Sequence, residues 1–210
     1  MAIWRLAHAR NPCDFVPRRY CSWNNRFDDP LKKYRTVYGA RLAITCLREL
    51  LADLRPNAKA LAEFGELFGS SADDGPIIAG VVSKQWRRSH VLVPAEAKFT
   101  QGRLVAIEAP SIIQQLSERH QKLLKQFGVD ALTVATLRSR QRPLTRAFSR
   151  TLFESGHAGI TFHSRLDGKP CYAYFEGRAA LKPVGPVIPL TQNHPDLIKV
   201  CGEYTLVLRS

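Results

Sequence analysis

The residues best suited to chemistry in this 210-residue chain are an arginine, a tyrosine and a glutamate in the first quarter and a Ser-Arg pair far downstream. The guanidinium of Arg26 can bind a phosphate group through two parallel hydrogen bonds, which lysine cannot reproduce. The carboxylate of Glu49 can stabilise a developing positive charge. Tyr38 offers an aromatic face and a hydroxyl, Ser164 a second hydroxyl and Arg165 a second cation. These residue types suit a site that binds an anionic substrate.

Several common motifs are absent from the sequence. It contains neither G-x-G-x-x-G after a strand nor G-x-x-x-x-G-K-[ST], so no nucleotide-binding loop of these kinds is predicted. H-E-x-x-H and G-x-S-x-G are absent as well. His157 and His163 are six positions apart on opposite sides of Ile160, a spacing that is more often incidental than metal-binding. We therefore predict no metal.

Glu49 lies on a predicted helix. From Leu42 to Leu54 the apolar residues fall at 43, 46, 47, 50, 51 and 54, which is one face of an amphipathic helix that ends before Pro56. Glu49 is on the opposite, polar face with Arg41 and Thr45. Taken alone, this is the position of a solvated surface glutamate. A role in a site requires this polar face to line a cleft.

The other predicted elements do not alternate regularly. Tyr38 falls in a short strand, Thr36–Tyr38, and Ser164 precedes a hairpin-type turn at Asp167-Gly168. The further predicted strands are Ile77–Val82, His90–Val93, Arg103–Ile107, Ala131–Leu137, Ile160–Phe162 and Cys171–Phe175, and the further predicted helices are Lys59–Phe68, Pro110–Phe127 and Pro143–Gly156. Residues 10–35 and 69–76 are predicted to be mostly loop. Without regular β-α-β repetition, the pattern favours an α+β fold.

The chain length indicates one domain, residues 1–210. Its tail, residues 179–210, is expected to add edge strands around Val187-Ile188, Val200 and Tyr204–Leu208. No segment has the length of a signal peptide core or a membrane span, and the five cysteines form no C-x-x-C pair. We therefore expect a soluble, cytoplasmic protein with free thiols and no membrane association.

The charge balance is strongly basic. There are 31 Lys and Arg residues against 18 Asp and Glu residues, a formal net charge of +13. Such a field attracts anions, and nucleic acid, a dinucleotide pyrophosphate, an acidic protein or an anionic membrane surface would all fit. The charge alone does not choose between them.

The two reactive stretches, in their order and spacing, resemble the RES domain, a family named for its Arg, Glu and Ser. The resemblance is carried by Asn25–Pro30, Tyr34–Ala40, Leu47–Leu50, Gly156–Arg165 and Cys171–Glu176, and it spans about residues 18–178. It implies an ADP-ribosyltransferase-like fold, with a mixed, mainly antiparallel sheet, flanking helices and a cleft for NAD. Family members degrade NAD by hydrolysis or phosphorolysis, or transfer ADP-ribose to a protein. Most are toxins held by a cognate antitoxin, here expected to be an Xre/ParS-like protein in a hetero-oligomer.

The residues that match the family are Arg26, Tyr38, Glu49 and Ser164. Cleavage of the nicotinamide–ribose bond builds positive charge on the ribose, which Glu49 would stabilise. Arg26 would bind the pyrophosphate, Tyr38 the nicotinamide or ribose, and Ser164, with Arg165 beside it, would orient the substrate. Nicotinamide leaves as a neutral group, so the reaction needs no strong general acid.

Two other functions stay open at this point. The same fold could transfer ADP-ribose to a protein instead of to water or phosphate. A different class, a basic nucleic-acid-binding module, is indicated by the clusters Trp86–Arg88 and Arg138–Arg142. These clusters are more typical of solvated loop charge, so nucleic acid is not directly expected as a partner.

Overall fold

A computed structural model describes residues 2–56 and 80–209, and its centre is a mixed sheet of eight strands. The strands are β1 (Ala2–His8), β2 (Thr36–Ala40), β3 (Val81–Val82), β4 (His90–Phe99), β5 (Leu104–Ala106), β6 (Gly159–His163), β7 (Pro170–Phe175), β8 (Ala179–Pro183), β9 (Ile188–Pro189) and β10 (Val207–Leu208). The sheet order is β5-β6-β7-β2-β1-β4-β8, and β9 also pairs with β4. Among its described pairs all are antiparallel except β5–β6. Strands β3 and β10 form a separate parallel pair.

Helices flank this sheet. They are α1 (Ala43–Leu51), α2 (Lys84–Ser89), α3 (Pro110–Arg119), α4 (Gln121–Gln126), α5 (Val134–Arg138), α6 (Arg142–Glu154) and α7 (Pro195–Tyr204), with 3-10 turns at Arg18–Tyr20 and Ala52–Leu54. The α+β class, with a mainly antiparallel sheet and flanking helices, is therefore confirmed. In the described part of the chain, no helix is long and apolar enough to cross a membrane.

The two faces of the sheet bury cores of different size. The larger core includes Leu47 and Leu51 of α1 and Phe148 of α6, each of which is fully buried. The smaller core, on the other face, includes Ile3 and Tyr174. Because alternate residues of a strand point to opposite faces, β1 and β7 contribute to both cores. The helix that carries Glu49 thus packs on the larger core.

Strands β1 and β2 approach closely where Trp4 pairs with Ala40. A Cβ atom on Gly39 would lie 2.6 Å from Cδ1 of Ile3 and 2.9 Å from the carbonyl oxygen of Trp4. Glycine is therefore required here for the two backbones to pair. This contact fixes where β2 ends and α1 begins.

Most predicted elements near the site are found with small shifts in their ends. The predicted strand Thr36–Tyr38 lies within β2, and the predicted helix Leu42–Leu54 is α1 followed by a 3-10 turn. The predicted helix Pro110–Phe127 is divided into α3 and α4 at His120. The prediction for Lys59–Phe68, the loop 69–76 and the first part of Ile77–Val82 fall outside the described residues.

Two predicted strands are wrong. Ala131–Leu137 contains the short helix α5, because the side chain of Thr133 caps it by accepting a hydrogen bond from the backbone N–H of Thr136. Val200 lies inside α7, where it is buried on one face with Leu197. In both places the signals for a helix start override the β-branched composition.

Candidate functional site

Arg26 occupies a half-buried position against two aromatic rings that contact each other, with ring centres 4.8 Å apart. Its guanidinium carbon is 5.3 Å from the ring centres of both Phe27 and Phe162. Nη2 donates a hydrogen bond to the carbonyl oxygen of Leu137, whereas Nε is buried and has no hydrogen-bond partner among the described residues. Burial lowers the pKa of Arg26, and the carboxylate of Glu49 opposes this shift most strongly. The guanidinium is thus held in place but keeps a donor unused.

Tyr38 holds the loop that carries Arg26. Its hydroxyl accepts a hydrogen bond from the backbone N–H of Phe27 (2.9 Å) and donates one to Oδ1 of Asp28 (3.1 Å). Oδ2 of Asp28 accepts a hydrogen bond from the backbone N–H of Asn25 (2.8 Å). Burial raises the pKa of Tyr38 well above its ordinary value, so the phenol stays protonated. The hydroxyl proposed for the ribose is therefore engaged with the loop in this structure.

Glu49 lies on the solvent side of α1, where its charge acts on Arg26. It is exposed, and its carboxylate has no hydrogen bond or ion pair within residues 2–56 and 80–209. Its charge acts on Arg26 and also raises the pKa of the buried thiol of Cys171, after the larger effect of burial. An arginine on a loop and a glutamate on a helix, 23 positions apart, are therefore brought into one electrostatic environment.

A set of charged contacts fixes α1 against the turn between β6 and β7. Oδ2 of Asp167 accepts hydrogen bonds from Oγ1 of Thr45 (2.8 Å) and from Nη1 of Arg48 (3.0 Å). The same arginine makes two further hydrogen bonds, of 2.8 and 2.7 Å, to the carboxylate of Glu203 in α7. Burial alone would raise the pKa of Asp167, but the hydrogen bonds from Thr45, Lys169 and Arg48 lower it. This clamp orients the helix turn on which Glu49 sits.

Ser164 and Arg165 lie at the same turn but differ in exposure. Ser164 is 1% exposed, and its Oγ accepts a hydrogen bond from the backbone N–H of Leu166 (3.0 Å). Arg165 is exposed, makes no ion pair among the described residues, and lowers the pKa of Arg26 through its charge. The structure thus brings Arg165 toward Arg26 as a second cation, whereas the hydroxyl of Ser164 stabilises its own turn. Ligand roles for Ser164 and Tyr38 stay predictions.

Sequence reasoning missed an acidic residue in the centre of this region. Both oxygens of the Glu108 carboxylate accept hydrogen bonds from Arg138, at 2.9 and 2.8 Å. His163 adds a hydrogen bond from Nδ1 to Oε2 (2.6 Å). Burial alone would raise the pKa of Glu108, but these hydrogen bonds lower it to about 2. Because the partners are 30 and 55 positions away, no local pattern could have indicated them.

The other candidate features do not form a second site. His157 precedes β6 and His163 is its last residue, and no cluster of metal-binding side chains occurs in the described part of the chain. In the predicted basic clusters, Arg87 is buried and Arg138 is paired with Glu108. Two surface cavities of about 330 and 370 Å³ are lined by other residues, among them Phe15 in the first and Arg87 in the second. Arg26 and Glu49 border neither of them.

Together, the fold and the site define a class: an α+β domain in which a half-buried guanidinium and an exposed carboxylate interact through their charges. Such a site can bind a phosphorylated substrate and stabilise a cation at the same time. The comparison with protein families specifies it further. The chain belongs to the RES domain family, whose model matches residues 2–193. Proteins of this family are NAD-acting toxins, and the chain is of that class.

Comparison with individual proteins adds little. No curated protein matches the chain. Three chains of solved structures match. One, from a crystal structure of the M. tuberculosis MbcT–MbcA toxin–antitoxin complex, is 13% identical with a TM-score of 0.48, over 97% of this chain and 87% of that chain.

Proposed function

We propose that this protein consumes NAD by cleaving the nicotinamide–ribose bond, on an ADP-ribosyltransferase-like fold. Family membership supports an NAD-acting enzyme. The observation that supports the proposal is that Arg26 and Glu49, which lie on two separate elements, are close enough for the charge of Glu49 to act on Arg26.

In the proposed site, the two cations bind the pyrophosphate. Arg26 supplies its positive charge from a half-buried position, and Arg165 adds a second positive charge from an exposed position. A guanidinium matches two phosphate oxygens at once, so the substrate is oriented as well as attracted. Arg26 therefore determines how the pyrophosphate is oriented, and Arg26 and Arg165 both contribute positive charge that attracts it.

Glu49 stabilises the positive charge that develops on the ribose. As the bond from C1′ to the nicotinamide nitrogen breaks, its electron pair moves to the ring and neutralises the pyridinium. The ribose carbon becomes cationic, and an anionic carboxylate nearby lowers the energy of this state. Water or phosphate then forms the new bond to C1′ through oxygen. Nicotinamide leaves as a neutral molecule, so no residue is required as a strong acid, and an attacking water releases its proton to solvent.

The experiment is a nicotinamide-release assay on purified protein, followed by chromatography, with and without inorganic phosphate. Arg26→Lys and Glu49→Gln are each expected to lower the rate about 100-fold or more. The first keeps the positive charge but loses the two parallel hydrogen bonds to phosphate, and the second removes the negative charge that stabilises the ribose cation. Glu118→Gln, at an exposed position on α3, is the matched control and is expected to keep full activity. Absence of nicotinamide release by the unmodified protein under both conditions would refute the proposal.

We also propose that an acidic, Xre/ParS-like antitoxin holds the protein in a hetero-oligomer. The net charge of +13 supports a partner of opposite charge, because complementary fields speed association. The expected result is growth arrest on expression of this chain, relieved by co-expression of the antitoxin. An association rate that does not change with salt concentration would contradict the electrostatic part of the proposal.

A further inference from the structure

We propose that Glu108 is a positioning residue for Arg26. Its carboxylate holds the two structures between which the Arg26 guanidinium lies, and it does so without contacting Arg26 directly. The catalytic consequence rests on the proposed function, but the positioning itself does not.

The first structure is the end of helix α5. Glu108 makes a bidentate ion pair with Arg138, the last residue of that helix. The adjacent residue, Leu137, supplies the carbonyl oxygen that accepts the hydrogen bond from Nη2 of Arg26. Since α5 has only five residues, it has little stability of its own. The bidentate pair is therefore what anchors the carbonyl that holds Arg26.

The second structure is the end of strand β6. The same carboxylate accepts hydrogen bonds from Nδ1 of His163 (2.6 Å) and from its backbone N–H (3.3 Å). The preceding residue is Phe162, whose ring packs 5.3 Å from the guanidinium carbon of Arg26. The ring below the guanidinium and the carbonyl beside it are thus attached to one carboxylate, through partners 30 and 55 positions away.

The charge of Glu108 also acts on Arg26, after that of Glu49. Within the described residues, no hydrogen bond or ion pair joins Glu108 to Arg26. Both oxygens of Glu108 are occupied by Arg138 and His163, so this carboxylate is not free to bind a substrate. Its effect on the reaction must therefore pass through Arg26.

The first experiment observes Arg26 without any substrate. In protein labelled with ¹⁵N-arginine, the Arg26 side-chain signals are assigned by their loss in Arg26→Lys. In Glu108→Gln we expect faster rotation of the guanidinium and faster N–H exchange, and in the control Glu118→Gln no change. Unchanged Arg26 signals in folded Glu108→Gln would overturn the proposal. If Glu108→Gln does not fold, Arg138→Gln removes the same pair from the other side and is read in the same way.

The second experiment measures binding of ADP-ribose by calorimetry in a double-mutant cycle. Glu108→Gln is expected to weaken binding about tenfold, as observed for outer partners of binding groups, and to add no further loss in an Arg26→Lys background. Equal losses in both backgrounds would show that Glu108 acts independently of Arg26 and would overturn the proposal. If the unmodified protein binds neither NAD nor ADP-ribose while Glu108→Gln still frees Arg26, the proposed function fails and the positioning role stands.

Discussion

Replacement of Tyr38 by phenylalanine separates a structural role of this residue from a catalytic one. The substitution keeps the ring and removes only the hydroxyl. In the structure that hydroxyl satisfies the backbone N–H of Phe27 and one oxygen of Asp28, both in residues no more than 5% exposed. After the change, a buried donor and a buried acceptor each lose a partner.

The size of the effect follows from these two groups. A buried polar group left unsatisfied costs about 1–3 kcal/mol. Two such groups, with some relief by local relaxation, give an expected loss of about 2–4 kcal/mol in the free energy of unfolding. Because the loop from Asn25 to Asp28 would loosen, Arg26 would also be less well held, and nicotinamide release should fall with it.

The assay is urea denaturation of Tyr38→Phe beside Tyr20→Phe, a matched control whose side chain is 67% exposed. The control is expected to change stability by less than about 0.5 kcal/mol. If Tyr38→Phe also changes stability by less than about 0.5 kcal/mol, the hydroxyl does not hold the loop and the reasoning is wrong. A loss of activity with unchanged stability would point instead to direct contact between this hydroxyl and the substrate.

Two further predictions concern the charged contacts. Arg48→Ala removes three hydrogen bonds to Asp167 and Glu203. We expect a loss of about 1–3 kcal/mol in the free energy of unfolding, measured by denaturation, and slower nicotinamide release. If neither value changes, these contacts do not orient α1. Glu108 has a folded-state pKa of about 2 against an ordinary value of 4.5, so its carboxylate stabilises the fold above pH 4.5 and this contribution is lost as the pH falls from 4.5 toward 2. In thermal melts across this range, the melting temperature should fall less steeply with pH in Glu108→Gln than in the unmodified protein. Parallel curves for the two proteins would contradict the stabilising role of the Glu108 carboxylate.

Local periodicity in the sequence was sufficient to predict the helix that carries Glu49 and the strand that carries Tyr38. The apolar spacing of α1 identifies both its buried face and the polar face on which Glu49 lies. The family resemblance places Arg26 and Glu49 in one site; the structure gives an interaction between their charges, and their shared role in a site stays a prediction. The sequence did not indicate that Ser164 is buried at the turn. A direct role of Ser164 in substrate binding stays a prediction.

The remaining features depend on contacts between distant residues. Strand β1 was not predicted, although it lies between β2 and β4 in the sheet. Its buried positions include Arg5 between Ile3 and Ala7, and a charged residue there obscures the alternation expected of a strand. The Glu108 contacts were missed for a related reason, since ion pairs between distant elements leave no periodic trace in the sequence.

The pairing of Arg48 with Glu203 joins residues 155 positions apart. Contacts of such high sequence separation carry a large loop-closure entropy cost, and folds rich in them form slowly. During synthesis, the helix of Glu49 would leave the ribosome long before the residue that locks it in place. The contact that holds the helix of Glu49 can therefore form only when α7 has emerged.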